Sequence, residues 1–123
     1  MYFIAPDALQ MPKVYIEELK EKGIKIVMAK KIEDVSKELD ILYMTRIQKE
    51  RLNGEEIDEE FITKNLHLTQ EILTNAKNNM VIMHPLPRNN EINTNIDNDP
   101  RAAYFRQMEN GLYVRMALLQ LLI

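Results

Sequence analysis

Along this chain, short apolar runs alternate with stretches whose apolar residues recur every three or four positions, the pattern of a repeating strand–helix unit. Tyr2-Phe3-Ile4 reads as a short strand, closed by Pro6 and Asp7. Pro12 stands where a first helical turn tolerates a missing N–H. Val14, Leu19 and the stem of Tyr15 give the following helix an apolar face, and Gly23 gives it a left-handed stop. Residues 24–28 form a second strand. Ile32, Val35 and Leu39 then lie on one helical stripe. Ile41-Leu42-Tyr43-Met44 is a third strand, apolar without alternation, as a strand covered on both faces should be. Residues 45–65 turn polar and charged, with a turn at Asn53-Gly54 and a single helical turn carrying Ile57 and Phe61. A helix over residues 69–77 carries Ile72, Leu73 and Ala76, and Val81-Ile82-Met83 is the fourth strand. Residues 89–100, rich in asparagine and aspartate, are expected as an exposed loop. A last helix starts near Pro100 and runs to the end, with room for a break at Asn110-Gly111.

The order predicts an α/β fold, a three-layer, doubly wound parallel sheet of Rossmann-like type. Two features make that unit look incomplete. The first strand begins with no lead-in, and residues 112–123 are apolar nearly all round, which asks for burial on most of the helix. With the usual doubly wound order, the strand lacking here is a central one, so strands 2–4 and 41–44 would each lack a neighbour.

Composition narrows the function. The chain has 123 residues, a formal charge of -3, and neither cysteine nor tryptophan. That length suits one domain and is short for an enzyme. The mildly acidic balance gives no footprint for nucleic acid or an anionic membrane, and no run approaches a membrane span. Absent cysteines exclude thiol catalysis, and with no signal-peptide layout they fit the cytoplasm. Three glycines leave no phosphate-cradling loop. The lone His67 and the acidic run Glu55-Glu56 and Asp58-Glu59-Glu60 read as a solvated surface rather than a metal or acid–base site.

Two segments remain. Thr45-Arg46-Ile47-Gln48-Lys49-Glu50-Arg51 leaves the third strand and His84-Pro85-Leu86-Pro87-Arg88 leaves the fourth, both at carboxyl ends where parallel sheets bind ligands. Arg46 is the first charge beyond a buried strand, and its planar fork suits a carboxylate or phosphate. Glu50 is spaced to orient that fork, and Gln48 both donates and accepts. The plainer reading is a solvated loop whose ion pairs contribute almost nothing. In the second segment two prolines fix φ and remove two N–H groups, so carbonyl oxygens are left to receive N–H donors of a ligand. A cis Leu86–Pro87 bond would be a deliberate bend. A stiff turn with a structural His84 remains the alternative.

In this order and spacing the two segments resemble the aspartate carbamoyltransferase family. Tyr2-Phe3-Ile4-Ala5-Pro6-Asp7-Ala8-Leu9, Asp40-Ile41-Leu42-Tyr43-Met44 and Asn110-Gly111-Leu112 extend the likeness over essentially the whole chain. The sister ornithine enzymes typically have a cysteine in the His-x-Leu-Pro rim, where Pro85 stands here. The resemblance implies carbamoyl transfer from carbamoyl phosphate to L-aspartate, an early step of pyrimidine synthesis, with no metal or organic cofactor. It implies that Arg46 binds an aspartate carboxylate with Gln48 assisting. Carbonyls around Leu86, shaped by Pro85 and Pro87, would accept from the carbamoyl NH2. Glu50 would hold Arg46, and the loop from Lys49 to Arg51 would move on closure. Family members also carry a Ser-Thr-Arg-Thr phosphate-binding motif, a catalytic histidine, further arginines and a lysine from a neighbouring subunit of a homotrimer. None of those motifs occurs in this sequence. Residues 1–123 are therefore expected as a partial aspartate-binding domain with no catalytic residue of its own. Residues 112–123 would begin a helix that packs on the absent carbamoyl-phosphate domain. A non-catalytic aspartate-binding or interaction fragment, or the product of a broken gene, are the competing readings.

Overall fold

The computed structural model describes residues 1–46 and 59–123. The elements follow as β1 (Tyr2–Ile4), α1 (Lys13–Glu21), β2 (Val27–Ala29), β3 (Ile41–Tyr43), α2 (Glu59–Asn65), α3 (Gln70–Thr74), β4 (Val81–Met83) and α4 (Tyr104–Leu122). All the strand pairing is parallel: β1 lies beside β2 with Phe3 opposite Met28, and β3 beside β4 with Leu42 opposite Ile82. The α/β class is thus as expected. The described strands form two two-stranded pieces, β1-β2 and β3-β4, rather than one continuous sheet.

One face of β3-β4 supplies the centre of the core. Leu42 and Ile82 are buried side by side, with Leu68, Leu73, Ile96 and Tyr104 closing over them. Beyond β4 the chain adds a bridge: Ile82 N–H donates to the Arg101 carbonyl and Ala103 N–H to the Ile82 carbonyl, both at 2.9 Å. That bridge fixes where α4 begins, directly beside the end of β4.

Several local expectations are corrected. Ile32, Val35 and Leu39 are buried as one stripe, but the segment is a series of turns rather than a helix. Val35 and Glu38 donate to carbonyls three residues back, and only Ser36 reaches four back, to Ile32. β-Branched Ile32 and Val35, with Asp34 and Ser36, are poor helix formers, so burial decides the segment and propensity does not extend it. In α1 the inner face is Ile16 and Leu19, while Val14 and Tyr15 are exposed. Residues 89–100 are not a free loop: Thr94–Asn98 forms a 3-10 turn that buries Ile96, and Ile92 is buried as well. α4 runs through Asn110-Gly111 without a break. Gly23 closes α1 at φ +75°, the left-handed stop its position implied.

Candidate functional site

Because β3 and β4 are parallel neighbours, they deliver their carboxyl ends to the same edge. Met44 N–H donates to the Met83 carbonyl at 2.8 Å, so the pairing persists one residue past β3. Arg46 stands three residues beyond Tyr43, and Leu86 three beyond Met83, on adjacent strands of one edge. Arg46 is half-buried, while Thr45 is exposed. Gln48, Lys49, Glu50 and Arg51, along with the Asn53-Gly54 turn, lie outside the described residues.

The 84–88 rim is tied down from several sides. The Leu86–Pro87 peptide is cis, and Leu86 sits at φ +50°, a region that costs an L-residue roughly 1–2 kcal/mol. Leu86 N–H donates to His84 Nδ1 at 2.9 Å, and His84 N–H donates to Gln107 Oε1 at 3.0 Å. Gln107 in turn donates through Nε2 to the Tyr43 hydroxyl at 3.3 Å, joining α4 to both strand ends. Pro85 and Pro87 are exposed and Leu86 half-buried, and among the described residues no main-chain N–H donates to the carbonyls of residues 84–87.

Arg88 anchors the far end. Its Nη2 donates to Asp97 Oδ2 at 2.7 Å, its Nη1 contacts Asp97 Oδ1, and Nη1 also reaches the Tyr104 hydroxyl at 3.2 Å. That hydroxyl donates to Asp97 Oδ1 at 2.6 Å, and the guanidinium lies 5.4 Å from the Tyr104 ring centre. The hydrogen bonds from Arg88, backed by Tyr104, hold the Asp97 carboxyl below its usual range. Burial, reinforced by Asp97, pushes Tyr104 up to about 12. Arg88 is therefore a structural anchor rather than a free cation for a ligand.

His84 is wholly buried. Burial lowers its pKa, the Glu91 charge opposes that and Arg88 adds to it. Since Nδ1 accepts from Leu86, the ring proton belongs on Nε2, which has no hydrogen-bond partner among the described residues. Asp99, gripped by Arg101, is held at about 2. In all three groups, His84, Asp97 and Asp99, the folded pKa lies below the unfolded one. Their stabilisation is therefore complete above the unfolded pKa and lost as pH falls through the folded one. The melting temperature should decline as pH drops below about 6.5, the unfolded value for histidine, and more steeply from about 4 towards 2 as the carboxylates protonate. A melting temperature constant from pH 7 to pH 3 would contradict these assignments.

Sequence reasoning singled out Arg46 and the 84–88 rim but missed Gln107, Asp97 and Tyr104. Nothing in local spacing announces them: Asp97 lies nine residues from Arg88 and Gln107 twenty-three from His84.

Comparisons with known proteins concentrate on one family. The family model described as aspartate/ornithine carbamoyltransferase, Asp/Orn binding domain, matches residues 1–122. The aspartate carbamoyltransferase catalytic subunit of Vibrio cholerae is 48% identical over 122 residues, 99% of this chain and 39% of that protein. The multifunctional protein pyr1-3 of Dictyostelium discoideum is 50% identical over 97% of this chain, which spans 5% of it. Aspartate transcarbamoylase from Trypanosoma cruzi, in complex with N-(phosphonacetyl)-L-aspartic acid, superposes with a TM-score of 0.86 at 41% identity, over 96% of this chain and 38% of that one. The chain thus spans about two-fifths or less of these relatives.

Proposed function

The chain belongs to the aspartate/ornithine carbamoyltransferase family, in its Asp/Orn-binding domain, and on that premise we propose that it forms the aspartate side of an aspartate carbamoyltransferase site. The observation that carries this reading is the pairing of β3 with β4. That pairing brings the segments leaving the two strands, with Arg46 on one and the proline-framed 84–88 rim on the other, to the same edge, which supports a shared site.

In this reading Arg46 grips an aspartate carboxylate with two parallel N–H donors, and Gln48 supplies a further polar contact. The carbonyls around Leu86, framed by Pro85 and Pro87, accept from the carbamoyl NH2 and orient the carbonyl carbon. The aspartate amine attacks that carbon: a C–N bond forms, the C–O bond to phosphate breaks, and the proton lost by the amine leaves with the phosphate. Holding both partners in register is the contribution of this half, since orientation alone supplies much of such a barrier. Glu50 keeps Arg46 in place, and the loop carrying Lys49 and Arg51 moves on closure.

Groups for the departing phosphate and for the developing oxyanion lie outside this sequence, so the isolated chain turns nothing over. They belong to a carbamoyl-phosphate domain, against which residues 112–123 pack within a cytoplasmic homotrimer that shares its active sites. The exposure of Leu121 and Leu122, above 80%, supports that docking role for the end of α4.

The test replaces the matching 122 residues of the Vibrio cholerae catalytic subunit with this chain. The chimaeric subunit should make N-carbamoyl-L-aspartate, while the isolated chain should stay at background. A folded chimaeric subunit without product would reject the function, and turnover by the isolated chain would reject the half-site reading.

A further inference from the structure

The β3–β4 ladder stops at a residue that cannot continue it. Odd-numbered residues of β4 face β3: Val81 N–H donates to the Asp40 carbonyl at 2.9 Å, and the Met83 carbonyl accepts from Met44 N–H at 2.8 Å. The next donor in that series would be residue 85, a proline without an N–H. Even-numbered residues face the other way, where Ile82 pairs with Arg101 and Ala103 on the approach to α4. His84 N–H follows on that side, but the chain beside it has by then turned into a helix. The N–H of Gln107 is spent inside that helix, on the Ala103 carbonyl at 2.8 Å. Its side chain is not, and Oε1 accepts the His84 N–H at 3.0 Å.

Little else holds the main chain of the rim. Between residues 84 and 87 only His84 and Leu86 have an N–H, and Leu86 donates within the rim, to His84 Nδ1. Among the described residues, the Gln107 bond is therefore the one hydrogen bond that ties the main chain of residues 84–87 to another element. The other end of the amide is equally defined. A main-chain N–H can only donate, so the amide oxygen faces His84 and Nε2 donates to the Tyr43 hydroxyl at 3.3 Å. Tyr43 closes β3, three residues before Arg46. One half-buried side chain thereby spans the ends of both strands.

We infer, taking the 84–88 rim as the acceptor of the carbamoyl NH2, that Gln107 is a positioning residue for carbamoyl transfer. Its two bonds set the rim carbonyls in register with the end of β3, from which Arg46 leaves. Without them the carbamoyl carbon shifts against the attacking amine, and about 1 Å of misplacement costs on the order of a hundredfold in rate. Binding suffers less, since the phosphate end is held by groups outside this sequence.

The test uses the chimaeric catalytic subunit with both substrates varied. Gln107→Met keeps the length of the side chain and removes both hydrogen bonds. It should lower kcat by about 30- to 100-fold and change each KM by less than about threefold. Tyr43→Phe, which leaves the His84 bond intact, should lower kcat by about three- to tenfold. Gln107→Glu should recover most of the loss, because a carboxylate accepts from both the His84 N–H and the Tyr43 O–H. A merely structural Gln107 would lower the melting temperature and leave kcat of the folded variant at the parent value, which would overturn the inference. So would a raised KM with kcat unchanged, a parent-like kcat in Tyr43→Phe, or Gln107→Glu no better than Gln107→Met. If Gln107→Met does not fold, Tyr43→Phe and Gln107→Glu decide against the parent subunit. A parent chimaeric subunit without product rejects the proposed function and the inference with it. An active parent with an unaffected Gln107→Met rejects the inference alone.

Discussion

Arg46→Ala in the chimaeric subunit should raise KM for aspartate by about 30-fold to several thousandfold, corresponding to the about 2–5 kcal/mol lost when one partner of a desolvated, hydrogen-bonded charge pair is truncated. KM for carbamoyl phosphate should move far less, because in the proposed site the guanidinium addresses the acceptor and not the donor. Lysine at this position should recover only part of the loss. A point charge on a flexible stem cannot reproduce two parallel N–H bonds. Arg46 is half-buried just past β3, whose central residue, Leu42, is buried. Near-normal KM for aspartate in Arg46→Ala would reject its role.

The second large effect concerns the rim's foundation. Arg88→Ala removes both bonds to Asp97 and the contact to the Tyr104 hydroxyl, leaving a carboxylate and a buried phenol without their cation. The side chains of Arg88 and Asp97 are 14% and 28% exposed, so water offsets part of the loss. A cost of about 2–3 kcal/mol follows, the lower part of the range for such pairs. Arg88→Lys should rescue little, since the bidentate geometry is what holds Asp97. Tyr104→Phe leaves the ion pair intact and should cost about 1 kcal/mol, the typical net value of one hydrogen bond. Urea unfolding of the three variants checks the order. Arg88→Ala as stable as the parent chain would show that the 84–88 rim does not depend on this anchor.

How far the sequence reached follows from the range of the forces involved. The strands were legible because Tyr2-Phe3-Ile4, Ile41-Leu42-Tyr43 and Val81-Ile82-Met83 are apolar runs bounded by turn residues, although within them only Leu42 and Ile82 are buried and the third strand is not covered on both faces. The stripe of Ile32, Val35 and Leu39 was legible as burial but not as conformation. Its spacing suits a helix, while Asp34, Ser36 and the β-branched residues favour turns. Residues 89–100 misled for the opposite reason. Asparagine and aspartate signal an exposed loop, yet Ile92 and Ile96 are long-range core contacts that no local pattern reveals. Within the site, Arg46 and the proline rim were visible because unusual residues follow strand ends. Gln107 and Asp97 act through pairings set only by tertiary structure. The described strands form two separate pairs, which agrees with the expectation that strands 2–4 and 41–44 each lack a neighbour.

The most direct test of the aspartate-side assignment is acceptor choice, because the family model spans both aspartate and ornithine binding. The chimaeric subunit is given carbamoyl phosphate with equal concentrations of L-aspartate and L-ornithine, and both products are quantified. On the proposed role of Arg46, ornithine has no side-chain carboxylate for it to grip, so N-carbamoyl-L-aspartate should exceed citrulline by about a hundredfold or more. Citrulline in comparable or greater amount would contradict the account.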